Sequence, residues 1–278
     1  MQSLRKRLLP QGWYPATKAE TLKEITCFVK KSQVYPVLNN KKIGGVIPHA
    51  GWHYSGELAA RVISNFRDFA PELIIVFGGH LSAGETPLIT IAGAWETPLG
   101  SMKIAVELAN KIKTKLALLD DTCPDNTVEI QIPLLKYYFP KAEILAVRLP
   151  ASLEAARISE NIIKEAQKTY KKFIILASTD LTHYGERFCF TPAGSLNKAG
   201  PWLKKNDKEF IELTLKLKTE ELLKHAEDKQ SACSSGAVAG LTAAAKILGA
   251  EEGELLGYKT SCEVTLSDSC VGYAGIVF

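Results

Sequence analysis

The chain of 278 residues is 46% hydrophobic and 23% charged, the composition of a soluble globular protein able to bury a full core. Its net charge of +4 is small, and its lysines alternate with apolar positions in stretches such as 103–115. That pattern describes a solvated helix face, which excludes a nucleic-acid surface, and no run approaches the roughly 18 apolar residues of a membrane helix.

The basic start Arg5-Lys6-Arg7-Leu8-Leu9-Pro10 is broken by proline and lacks the apolar core of a signal peptide, so the expected compartment is cytoplasmic. Six cysteines without a CxxC pair fit reduced thiols rather than disulfides. The first β-branched run predicts a strand over 43–47. It ends in VIPHAGWHYSG (46–56), a Pro/Gly turn that carries His49 ahead of a helix over 56–66. LIIVF predicts a strand over 73–77 running into Gly78-Gly79-His80. A strand over 88–92, helices over 103–115 and 129–138, a strand over 143–147 and a helix over 153–170 follow. FIILA predicts a strand over 173–177 that leads into Ser178-Thr179-Asp180-Leu181-Thr182-His183. This alternation predicts an α/β fold with a mostly parallel central sheet covered on both faces, a three-layer αβα domain. Past Thr191 come helices over 205–216 and 219–226, a turn at 231–236, a small-residue helix over 237–248, and two strands, 255–260 and 271–278, that can pair antiparallel. With no repeat, low-complexity tract or Ser/Gly linker, residues 1–278 are expected to form one domain.

Three strands thus end in a polar turn with a histidine, in a chain that has only five histidines. Open α/β sheets hold ligands outside the carboxyl ends of their strands, and imidazole ligates iron, copper and zinc. His49 and His80, in matching positions, therefore point to a metal site, although a single such histidine would read as a cap. His53 either shares a helix face with His49 or packs or binds substrate, outside the ligand set. Cys233 precedes a helix, whose positive end favours a thiolate; it is either a ligand or a buried, inert thiol. Asp180 and His183 have the spacing of a carboxylate that orients an imidazole, of an imidazole that moves protons, or of a helix cap beside a loop histidine. Glu129 falls in a first helical turn, where acidic residues complement the dipole, and His225 reads as a surface residue. Gly78-Gly79-His80 lacks the spacing of a phosphate loop.

PHAGWHYSG (48–56), the GGH at 78–80, ETPLG (96–100), NTVEIQIPLL (126–135), STDLTHYG (178–185), the Cys233 segment and the closing VGYAGIVF run over nearly the whole chain. With them the sequence resembles the Memo family, also described as the AmmeMemoRadiSam system protein B type. That family is similar in fold to the class III extradiol ring-cleavage dioxygenases with non-haem iron. The resemblance implies a metal held by His49, His80 and Cys233, the cysteine standing where the dioxygenases use a carboxylate. It implies Asp180 and His183 as further pocket residues and candidate catalytic groups. The implied cofactor is Fe(II), Cu or Zn, with the thiolate softening the site. The implied role is a metal-binding redox enzyme, or a component of a radical-SAM-associated modification system with radical-SAM and AMMECR1-like proteins as partners. The alternative, from another class, is a non-catalytic scaffold that keeps the pocket for a peptide or small-molecule ligand. Two departures stand out. Asn126 occupies the place of a family histidine, removing a group for substrate or oxygen, and CSSGAV (233–238) lacks the basic and polar residues often found after the cysteine.

Overall fold

The computed structural model describes residues 3–32 and 43–278, apart from the side chains of 197 and 198. Its central strands lie in the order Met102–Ile104, Glu143–Pro150, Leu73–Leu81, Phe173–Ser178, Gly44–Ile47 and Cys270–Val277, within a sheet of twelve strands among the described residues. The first five run parallel, and Cys270–Val277 adds antiparallel to Gly44–Ile47. Glu254–Thr260 pairs antiparallel with Cys270–Val277, the closing hairpin expected from the sequence.

Successive side chains of a strand point to opposite faces, so the apolar runs divide between two cores. Leu73, Ile75, Phe77, Leu145, Val147 and Leu149 face one core with residues of the helices Val106–Leu116, Leu153–Ala166, Thr219–Lys229 and Ser235–Ile247. Ile74, Val76, Ile144, Ala146, Ile174 and Leu176 face the other with the helices Lys18–Ser32, Trp52–Ser64 and Ile132–Tyr138. The result is the three-layer α/β arrangement predicted. No helix among the described residues is long and apolar enough to cross a membrane.

Several elements differ from expectation. The first helix after His49 starts at Trp52 rather than Gly56, because Gly51 takes the N-cap position. The helix over 129–138 is two short ones, Asn126–Glu129 and Ile132–Tyr138; Pro133 stands in the first turn of the second, where its missing N–H costs nothing. The strand over 88–92 shortens to Leu88–Ile89, and Lys103 and Ile104 leave the expected helix for the strand Met102–Ile104, where they pair with Glu143–Pro150. The helix expected at 205 begins at Leu196 and runs through Pro201. Lys18–Ser32 was not anticipated as a helix, nor were the two-residue strands Leu4–Arg5, Ala94–Trp95, Leu119–Asp120 and His183–Tyr184, which are too short to carry a period.

Candidate metal centre

His49 leaves the Gly44–Ile47 strand after Pro48 and is held from several sides. Its N–H donates to Asp180 Oδ1 at 2.7 Å, and its carbonyl accepts from Asn126 Nδ2 at 3.0 Å. The Pro48 carbonyl accepts from Gln131 Nε2 at 2.8 Å. The imidazole is buried, with Nδ1 3.3 Å from Ser178 Oγ; Nε2 faces Cys233 Sγ at 3.2 Å and Asp180 Oδ2 at 4.0 Å.

His80 lies inside the Leu73–Leu81 strand rather than beyond it. The register to Glu143–Pro150 shifts between Gly78 and Leu81, and His80 has φ +60°, a left-handed conformation uncommon for a residue with a side chain. Such bulges re-aim side chains. Here the ring meets that of His49 edge-on, with centroids 5.1 Å apart. Its Nδ1 is 3.0 Å from Asp125 Oδ2, which leaves Nε2 as the donor atom.

Cys233 is brought in by main-chain contacts from the loop after Phe173–Ser178. Leu181 and Ala232 form an antiparallel bridge, Cys233 N–H donates to the Asp180 carbonyl at 3.2 Å, and Ser234 N–H donates to Thr179 Oγ1 at 3.1 Å. Two close approaches make this possible. A Cβ on Gly79 would overlap Ser234, and a Cβ on Gly236 would overlap the Pro150 carbonyl. Without side chains at these two positions, the turn and the Ser235–Ile247 helix seat directly on the strand ends.

The donor atoms of His49, His80 and Cys233 all lie within 4.8 Å of one another. A tetrahedral centre with metal–nitrogen bonds near 2.0 Å and metal–sulfur bonds near 2.3 Å spaces its donors about 3.5 Å apart, so small side-chain adjustments close the set on one ion. Both imidazoles also have their outer nitrogen partnered, as ligating histidines do. Burial opposes charge on all three groups, yet their mutual contacts override it. The imidazoles hold the Cys233 thiol well below its usual range, and Cys233 and Asp180 raise His49. His80 rises to about 10 through Asp125 and Cys233 despite its partial burial. Burial would raise Asp125, but His80, Thr127 and Arg148 bring it to about 2.

A cavity of about 560 Å³ opens beside the donors, lined in part by Trp13, His53, Tyr54, Asn126, His183 and Arg187, and reached by His49, His80 and Asp180. His183 belongs to the short strand His183–Tyr184, with its ring 4.9 Å from that of Phe188. Among the described residues no hydrogen bond joins Asp180 to His183; the carboxylate is spent on His49. Their DLTH spacing places them in one cavity without pairing them. His53 faces the cavity outside the donor set. His225, expected on the surface, is largely covered, with Nδ1 2.8 Å from Ser231 Oγ and Nε2 3.2 Å from Glu209. Glu129 does more than complement a dipole: its buried carboxylate accepts from Leu8 N, Leu9 N and Tyr14 Oη and so ties down the segment that brings Gln11 to Trp13 to the cavity. Asp125 and Arg148 were missed. An Asp as helix N-cap before Asn126 was the visible signal for the first, and a lone arginine in an apolar strand for the second.

The family model of Memo-like proteins matches residues 8–277. The chain belongs to the Memo family. A MEMO1 family protein of Nitrosopumilus maritimus is 34% identical to it over 287 residues, spanning 99% of each chain. One of Pyrococcus abyssi is 32% identical over 86% of this chain and 88% of its own. In fold, this Memo chain is similar to the crystal structure of an uncharacterized protein from Escherichia coli K12, with a TM-score of 0.50 and 13% identity over 78% of this chain and 91% of that one. Its His-His-Cys group is one that can hold a metal ion.

Proposed function

We propose that this Memo chain binds Fe(II), Cu or Zn through His49 Nε2, His80 Nε2 and Cys233 Sγ, and acts as a redox enzyme or as the metal-dependent component of a modification system. The observation that carries this reading is the convergence of the three donors within 4.8 Å at the carboxyl ends of parallel strands, beside a cavity of about 560 Å³. A bound ion supplies a Lewis-acidic centre there, and a redox-active one if it is iron or copper. The chain's own residues orient and shield it. Ser178 and Asp125 fix which imidazole nitrogens face inward, and Asp180, holding the His49 main chain, is a positioning residue. His183, on the cavity wall, is the group placed to move a proton to or from a bound substrate. Radical-SAM and AMMECR1-like partners belong to the same proposal on family resemblance, and co-purification tests them.

One observation favours a second reading, a non-catalytic binder of a peptide or small molecule. Asn126 commits its amide to the His49 carbonyl and offers the cavity no proton-transferring group where the family usually has a histidine. Metal content after aerobic and anaerobic purification separates the two. The metal reading expects bound metal, shielding of Cys233 from alkylation when metal is loaded, and a Cys233→Ser variant that loses Cu(I) far more than hard ions. Metal-free protein from both preparations, with Cys233 labelled equally before and after metal addition, would sink it.

A further inference from the structure

We propose that Arg148 is a positioning residue of this centre, acting on His80 through Asp125 and the Gly79 carbonyl; its consequence for metal binding rests on the reading just given. Arg148 lies in the otherwise apolar stretch of the Glu143–Pro150 strand and is 7% exposed. A guanidinium buried there is costly unless its nitrogens find partners. Each of them does. Nε donates to the Gly79 carbonyl at 2.9 Å, Nη2 lies 3.3 Å from Asp125 Oδ2, and Nη1 lies 3.5 Å from Asp121 Oδ1.

The oxygen of Asp125 that Arg148 holds is the same one that meets His80 Nδ1 at 3.0 Å. The other oxygen accepts from the N–H and hydroxyl of Thr127, so the carboxylate cannot swing away from the imidazole. The Gly79 carbonyl immediately precedes His80, whose left-handed backbone persists only where its surroundings over-determine it. One guanidinium therefore grips both the main chain entering the bulge and the partner of the ring that leaves it. A lysine keeps the charge but not the planar fork that reaches three acceptors at once.

Charge balance supports the assignment. Arg5 lies 3.8 Å from Asp121 on its far side, so two guanidinium groups and two carboxylates cancel, all with side chains less than a tenth exposed. The cluster therefore balances its own charge, and with Nδ1 on Asp125 the Nε2 of His80 stays in the group formed with His49 and Cys233.

The test compares the full-length chain with Arg148→Lys, Asp125→Asn and the double variant. It reads Zn(II) affinity by competition with a chromogenic chelator, thermal melting, and the His80 Nδ1–H resonance in metal-free protein carrying isotope-labelled histidine. Arg148→Lys is expected to weaken Zn(II) by about 10- to 100-fold and to shift the His80 resonance away from its carboxylate-bonded position. Asp125→Asn should do the same, and the double variant should lose little more, as for residues acting through one contact. A merely structural arginine would lower the melting temperature and leave the resonance in place. A folded Arg148→Lys with an unchanged resonance and Zn(II) affinity within about twofold of wild type would overturn the proposal. If Arg148→Lys does not fold, Asp125→Asn with both readouts unchanged overturns it equally. If the wild-type chain binds no Zn(II), the metal reading fails, and the histidine resonance alone decides the positioning role.

Discussion

At the scale of single residues, buried carboxylates do different work according to what faces them. Asp125 is ringed by donors and stays ionised, whereas Asp207, fully buried in the Leu196–Leu215 helix, has among the described residues the Thr182 N–H at 3.0 Å and the Tyr258 hydroxyl at 2.7 Å. Burial outweighs those two bonds and pushes its carboxyl up to about 6. An acid whose folded pKa lies above its unfolded value binds protons more tightly when folded, so stability falls as pH rises from about 4 through about 6. Asp207→Asn carries a pH-independent penalty for the donor it cannot serve, but it removes that slope. Urea unfolding at pH 4 and 6.5 should show wild type losing up to about 3 kcal/mol relative to the variant over this interval; equal slopes would mean that Asp207 does not titrate there. Asp207 had no signature in sequence, because its burial depends on Gly272, where a Cβ would overlap the carboxylate.

At the scale of elements, the strands were legible and their ends were not. LIIVF and FIILA announce themselves by apolar content, but the bulge that aims His80 depends on the Thr127 hydroxyl, which takes the Gly79 N–H, and on Arg148, which takes the Gly79 carbonyl. Both partners are distant in sequence. The stretch before the Lys18–Ser32 helix is similar. It has little periodic pattern, yet Glu129 gathers it against the cavity through three donors, one of them the buried Tyr14. Glu129→Gln replaces a two-oxygen acceptor with a single carbonyl and sets an NH₂ against donors, at a cost of about 1–3 kcal/mol. Limited proteolysis should then cut near residues 8–14 well before the rest of the chain. Unchanged cleavage would show that the segment is held by its apolar contacts instead.

At the scale of the whole molecule, one sheet separates two cores, and Phe77 is fully buried in the one that carries the Ser235–Ile247 helix. Phe77→Ala should cost about 3–5 kcal/mol. It should also loosen that helix and with it the turn just before it, which carries Cys233. Leu266, 97% exposed at the cavity rim, is the matched control, and Leu266→Ala should stay within about 0.5 kcal/mol. Chemical denaturation of both variants measures the contrast, and a similar loss in each would contradict the packing described.

What the sequence determined by itself was whatever is written in short-range pattern. Alternating apolar strands and amphipathic helices specify a covered, mostly parallel sheet, and a histidine at or just past the last residues of a buried strand is carried to its carboxyl end by chain direction. His49 and His80 were therefore legible as a pair. The tertiary structure decided the rest, because it depends on contacts between distant segments. It places the Cys233 sulfur against His49 through a bridge between Leu181 and Ala232, and gives Asp180 to His49 rather than to His183. It also builds the support of His80 from Asp125 and Arg148, which lie 45 and 68 positions along the chain from it. Local spacing constrains neighbours on one element; which buried charges cancel and which nitrogen faces inward is settled only when the elements pack.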